Sequence, residues 1–100
     1  MKELIISTQA QDDLYSYIDT IYYEYDSPQT AKRHLDAIYE VLHKIQKNPE
    51  TYPVRFDQSL MQYGPFPRRV NYKKMAIIYT INGSTVYIRR IVAASMITNL

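Results

Sequence analysis

Two runs rich in β-branched and aromatic residues, Met75 to Ile81 and Thr85 to Ala93, stand on either side of Asn82-Gly83. That arrangement is the strongest short signal for a β-hairpin, because a type I′ turn needs positive φ at both central residues and Asn-Gly supplies it. With Ile81 and Ser84 flanking the turn, Tyr79 lies opposite Val86, Ile77 opposite Ile88 and Met75 opposite Arg90, all on one face. The other face carries Ala76, Ile78 and Thr80 with Thr85, Tyr87 and Arg89. It is the more polar of the two and the one expected to meet solvent or a ligand. A further run, Phe66 to Tyr72, precedes the hairpin, so a three-stranded antiparallel meander is expected.

The first half of the chain has a different period. Leu4-Ile5-Ile6 is a short apolar run that reads as a buried strand, and Thr8 with Gln11 has the form of a capping box. Ala10, Leu14, Tyr17, Ile18, Ile21 and Tyr25 then recur at helical spacing, leaving Asp12, Asp13, Asp19 and Glu24 mostly outward. Asp26-Ser27-Pro28 interrupts this helix. Ser27 suits an N-cap, and Pro28 suits the first helical position, where its missing amide hydrogen is no loss. Ala31, Leu35, Ile38, Leu42 and Ile45 mark a second helix, which Asn48-Pro49 ends because the residue before proline is pushed out of the α region. The expected fold is therefore α+β in the order β-α-α-β-β-β: an N-terminal strand, an αα-hairpin and the meander, as a single domain over residues 1–100. At 100 residues such a domain buries roughly two-thirds of its unfolded surface and needs no staple.

Between helices and meander, residues 48–67 hold four of the five prolines and one of the two glycines. The stretch reads as a long connection with at most a helical turn around Ser59 to Gln62, and such connections tend to be functional or mobile. Cysteine is absent, which excludes a disulfide framework, a thiolate metal site and a cysteine nucleophile. No apolar run approaches the roughly 20 residues of a membrane span, and the charged, briefly apolar opening does not resemble a signal peptide. A cytoplasmic setting without membrane contact is expected.

The net charge of +2 conceals a split. Residues 1–50 hold five Lys/Arg against nine Asp/Glu, whereas residues 51–100 hold seven against one, Asp57. Clustered cations focus potential where scattered ones cancel, so the second half is expected to attract an anionic partner, nucleic acid or an acidic protein segment. Arg68 and Arg69 in the first meander strand, Lys73 and Lys74 in the turn after it, and Arg89 in the last strand are the candidates for binding such a target. Guanidinium forks suit phosphate, and Tyr72 and Tyr87 offer rings for stacking on bases or hydroxyls for proton transfer. Adjacent strand residues face opposite ways, so only one of Arg68 and Arg69, and one of Arg89 and Arg90, should belong to one patch. The register puts Arg89 on the polar face and leaves Arg90 to close the core edge or pair with a helix carboxylate. His34 and His43 fall about half a turn out of phase on the second helix, cannot share a metal, and read as ordinary surface histidines. The helix carboxylates are spaced for solvent and for pairs such as Glu40 with Lys44. No zinc spacing, Gly-rich phosphate loop or nucleophile elbow is present in the sequence, and neither metal nor cofactor is expected.

The stretch Arg69-Val70-Asn71-Tyr72-Lys73-Lys74-Met75-Ala76-Ile77-Ile78-Tyr79, followed by Val86-Tyr87-Ile88-Arg89-Arg90-Ile91, resembles the RelE/ParE superfamily of bacterial toxins. Ala10, Asp13, Leu14 and Ile18 in the first helix, Ala31 and Ile38 in the second, and Pro49 after it are similar to the family as well. The resemblance covers nearly the whole chain. It implies the toxin of a type II toxin-antitoxin pair, of the kind tied to plasmid stabilisation and growth inhibition, whose partner is a small antitoxin that wraps and silences it. An acidic, partly disordered antitoxin segment is expected to order against the basic sheet or the helical hairpin. A homodimer and the class of antitoxin are left open.

Within the superfamily, RelE-like members cut messenger RNA on the ribosome, using basic residues on the concave sheet face and often a C-terminal tyrosine or histidine. ParE-like members poison DNA gyrase. The ribonuclease pattern places an arginine in the middle strand, where Ala76 stands here, and a basic or histidine-containing segment after the last strand, where Ala93-Ala94-Ser95-Met96 stands. The end of the chain, Leu100, has no tyrosine beside it, and only Arg69 matches a basic position of that set. A ParE-like toxin acting on gyrase is the expectation. The alternatives are a RelE-like endoribonuclease with Arg69, Arg89 and Tyr87 as catalytic substitutes, and a degenerate toxin kept as an antitoxin-binding module.

Overall fold

In the computed structural model, which describes residues 2–97, the chain runs β1 (Glu3–Ile6), α1 (Thr8–Tyr25), α2 (Pro28–Lys47), a 3₁₀ turn (Pro49–Thr51), α3 (Gln58–Met61), β2 (Arg68–Tyr72), β3 (Met75–Asn82), β4 (Thr85–Ala93) and a closing 3₁₀ turn (Ala94–Met96). The α+β order expected from the sequence is present. Ser7, rather than Thr8, caps α1: its backbone is extended and its Oγ accepts from the Ala10 amide at 3.0 Å. The same hydroxyl donates to the Arg89 carbonyl at 2.9 Å, which ties the helix start to β4. α1 ends at Asp26, whose φ of 49° breaks the helix, and Ser27 at once caps α2 by accepting from the Thr30 amide, with Pro28 inside the first turn. Adjacent stop and start signals leave no linker, so the helices fold back on each other.

The helical stripes supply half of one core. Ala10, Leu14 and Ile21 of α1 and Ala31, Ile38, Leu42 and Ile45 of α2 are buried, while Tyr25 is exposed. Against them the sheet presents Val70, Ile77, Tyr79, Val86, Ile88 and Ile91. A large aliphatic side chain buried in full stabilises by about 1.5–3 kcal/mol, which makes this seam the main source of stability. On the solvent side of α2 the i,i+4 pair that forms is Lys32–Asp36 at 2.9 Å, not Glu40–Lys44. Among the described helices none is long and apolar enough to cross a membrane.

The sheet has the order β1-β4-β3-β2, with β1 parallel to β4 and the other neighbours antiparallel. β1 is an edge strand: Leu4 and Ile6 pack on the core, whereas Ile5 is 38% exposed, so the strand is half-buried and not the buried one its three apolar residues imply. Asn82 pairs with Thr85, which makes Gly83-Ser84 the hairpin loop, with positive φ at Gly83 alone of the two. That is the φ pattern of a type II′ turn, one residue along from the expected type I′. The register moves by two residues, which preserves faces: Tyr79 lies opposite Ile88 and Thr80 opposite Tyr87. Beyond Tyr79 the ladder shifts again, Ile78 pairing with Arg90, so Arg89 is the extra residue of a β-bulge. The core-facing positions of β4 therefore pass from Val86 and Ile88 to Ile91, and Met75 faces Ala93 instead of Arg90.

The second face of the sheet is not the solvent-facing one expected. Ala76, Ile78 and Thr80 are 0%, 0% and 2% exposed. The long connection folds over them, and Leu60 of α3 forms a second, small core with Ile78 and Val92, flanked by Tyr63. Val54 bridges to Arg68, the Arg55 amide donates to the Pro67 carbonyl at 2.8 Å, and Arg55 pairs with Asp57 at 2.6 Å. Phe66, with a φ of 53°, stays outside β2, which starts two residues later than the composition suggests.

Candidate functional site

Arg68 and Arg69 leave β2 on opposite faces. Arg68 pairs across the ladder with Tyr79, and its Nη1 donates to the carbonyls of Glu50 and Tyr52. It fastens the 3₁₀ turn to the sheet and stands apart from the other sheet cations. The Tyr79 hydroxyl does the same from within the core, donating to the Pro49 carbonyl at 2.6 Å, and burial pushes this phenol up to about 12. Arg69 pairs with Ile78, and its Nε donates to Asn71 Oδ1 at 2.9 Å at the surface. Arg89 emerges on that same face, where its Nε donates to the Thr80 hydroxyl at 2.9 Å and its guanidinium carbon lies 4.9 Å from the centre of the Tyr87 ring.

Arg69, Tyr87 and Arg89 thus share a face, with the arginines on strands separated by β3, roughly 10 Å apart at two strand spacings. Between them the middle strand is covered. Gly64, at a φ of 147°, crosses it so closely that a Cβ there would lie 3.2 Å from Thr80 Cγ2 and 3.5 Å from Arg89 Nε. The two arginines flank a covered strand rather than line an open groove. Arg90 takes the role of core closure: its Nε and Nη2 donate to the two Asp13 oxygens at 2.7 and 3.0 Å, and the Ile91 amide donates to Asp13 Oδ2 at 2.9 Å. Asp13 therefore faces the sheet, not solvent.

Lys73 and Lys74 form the β2–β3 turn and lie against the helical hairpin. Lys73 has a left-handed φ of 52°. It lines a cleft of about 290 Å³ with Thr30, Arg33, His34 and Tyr72. An adjoining cleft is lined by His34, Lys73 and Lys74 together with Tyr17, Glu24 and Tyr25. The His34 Nδ1 lies 3.0 Å from the Tyr17 hydroxyl, and its ring meets Tyr17 and Tyr72 edge-on at 5.9 and 6.2 Å. Burial first, then the cations Lys73 and Arg33, lower the His34 pKa below its ordinary 6.5, so the imidazole is neutral at pH 7. Burial, with Tyr72 and Tyr25 nearby, raises the Tyr17 pKa. Tyr17 keeps its proton, and its hydroxyl and His34 Nδ1 share a hydrogen bond whose direction follows the imidazole tautomer.

The cations read from the sequence therefore fall into two groups, Arg69 and Arg89 on the sheet and Lys73 and Lys74 at the turn, with Arg68 in neither. Tyr72 belongs with the turn, and Tyr87 with the sheet. Thr30 and Arg33 are absent from the residues singled out by the sequence, and His34, read there as an ordinary surface histidine, is instead half-buried in this cleft. Their helical spacing puts Thr30 and His34 on one face, but nothing local states which strand turn docks beside it.

A four-stranded sheet backed by a helical hairpin, with arginines on the meander, is the architecture that the RelE/ParE resemblance implies. The chromosomal ParDE TA system from P. aeruginosa has a similar fold, with a TM-score of 0.74 at 20% identity over 93% of this chain and 96% of that one. Residues 4–98 match the family described as ParE toxin of type II toxin-antitoxin system, parDE, and the chain belongs to that family. Among curated proteins none matches it in sequence.

Proposed function

We propose that this ParE-family toxin arrests growth by poisoning DNA gyrase, without bond chemistry of its own, and that a cognate antitoxin silences it. The middle strand carries the reading. Cleavage of a phosphodiester needs cations on the phosphate with a proton donor and acceptor beside them, on a face the RNA can reach. Here Ala76, Ile78 and Thr80 are buried, Ile78 beneath Leu60 and Thr80 beside Gly64. Arg89 is engaged by Thr80 and Tyr87, and Arg69 by Asn71. Such arginines suit recognition of an anionic surface better than general acid-base work. For the antitoxin, the basic balance of residues 51–100 favours an acidic segment, and the exposed Phe56, Met61 and Phe66 offer apolar anchors.

The deciding experiment incubates purified protein with gyrase and supercoiled DNA. Accumulated gyrase-DNA cleavage complexes are expected. If they do not form and primer extension after induction shows codon-phased cuts in messages, the protein is an endoribonuclease instead. If induction causes no growth arrest, it is an antitoxin-binding module.

A further inference from the structure

We propose that the cleft between the β2–β3 turn and the helical hairpin binds a phosphate monoester, held by Arg33 and Lys73 with the His34 ring beside them. The inference stands apart from the gyrase reading, because the cleft lies among the helices and the turn, whereas Arg69 and Arg89 lie on the sheet.

Size is the first argument. At about 290 Å³ the cleft falls at the lower end of small-molecule sites, roughly 300–1,000 Å³, and suits a small anion with a short organic part. Charge is the second. The cleft gathers one cation from α2 and one from the turn, and among the described residues neither pairs with a carboxylate; Arg33 donates instead to the neutral Thr30 hydroxyl at 3.3 Å. The nearby carboxylate, Glu24, lines the adjoining cleft, which Lys74 also lines. Two cations on one cavity repel each other, and a dianion relieves that repulsion more fully than a carboxylate does.

Donor chemistry is the third. An arginine fork and an ammonium can only donate, and a phosphoryl group is made of acceptors. Tyr17 holds His34 by Nδ1 at 3.0 Å, which orients the ring at the cleft wall. The Tyr72 ring forms a wall against which the organic part of the ester can rest. The backbone adds a further sign: at a φ of 52° lysine is a costlier choice than glycine or asparagine, so the turn alone does not explain Lys73.

The test is a titration of the full ¹⁵N-labelled chain at low salt and constant pH with inorganic phosphate, adenosine monophosphate and a short DNA duplex, followed on amide and imidazole resonances. Both phosphate and the monoester should give saturable shifts centred on Thr30, His34, Tyr72 and Lys73, the monoester at lower concentration. The double variant R33Q/K73Q should weaken binding about tenfold or more while the rest of the spectrum is unchanged. Arg33→Gln alone gives an independent measurement if the double variant disturbs the turn. Shifts that never saturate, shifts centred on Arg69 and Arg89, or undiminished affinity in the variants would overturn the proposal. Saturation by the duplex but not by the monoester would show that the ligand class is wrong.

Discussion

The Asp13 carboxylate accepts three hydrogen bonds, two from Arg90 and one from the Ile91 amide, across the seam between α1 and β4. With side chains 16% and 31% exposed, this pair is better shielded than a surface ion pair, which contributes roughly 0–1 kcal/mol. Asp13→Ala strands a guanidinium and an amide, and a loss of about 2–3 kcal/mol is expected from urea unfolding. Asp13→Asn, which keeps an acceptor for the amide, should lose less. Tyr79 is the other residue whose polar atom closes the fold. Its phenol titrates near 10.0 in the unfolded chain and at about 12 when folded, because burial disfavours the phenolate. The stability it contributes is present in full below pH 10 and is lost as the pH rises toward 12, since the unfolded chain ionises first. Tyr79→Phe leaves the Pro49 carbonyl without its donor, and should cost about 1–3 kcal/mol at neutral pH while flattening the alkaline loss. The difference between wild-type and variant unfolding curves on the two sides of pH 10 isolates this phenol from the other tyrosines.

At the scale of elements, the connection of residues 48–67 turns from an expected loop into the cover of the second sheet face, and Gly64 is its tightest point. A Cβ there would press on Thr80 and on Arg89 Nε, at a φ that L side chains rarely adopt. Gly64→Ala should therefore lower stability by about 1–3 kcal/mol, read by urea unfolding, and shift the Arg89 Nε resonance as the connection lifts. Helices were legible to within a residue because their signals are local: Ser27-Pro28 at one start, Asn48-Pro49 at one end, and stripes such as Ile38, Leu42 and Ile45 between. The hairpin was legible in existence but not in register, since Asn82-Gly83-Ser84 satisfies either a I′ or a II′ turn and cross-strand packing makes the choice. The bulge left one trace, Ile88 and Ile91 both apolar at a spacing that breaks alternation. Coverage of Ile78 by Leu60 left none, because a four-residue helix separated by irregular chain from the strand it covers has no periodic signature. For the same reason the sequence points to Arg69 and Arg89 but not to the His34 cleft, which exists through the docking of a turn on a hairpin.

For the whole molecule the decisive property is the uneven charge, acidic over the first half and basic over the second, displayed on a fold that leaves Arg69 and Arg89 on one face. An acidic partner approaching that face is steered by unneutralised cations before any contact forms, and steering acts on the rate of encounter more than on the lifetime of the complex. Salt shortens the reach of the field from about 10 Å at 0.1 M to about 3 Å at 1 M. Association with the cognate antitoxin should therefore slow steeply with ionic strength in stopped-flow mixing, while dissociation changes little. The double variant R69Q/R89Q should flatten that dependence, because the charges that project the field are gone, whereas Arg68→Gln should lower stability through the lost Glu50 and Tyr52 contacts and leave the salt slope nearer to wild type. An association rate that is indifferent to salt in the wild type would mean that apolar burial around Phe56 and Phe66, both about two-thirds exposed or more, governs recognition and that the charge split has no part in it.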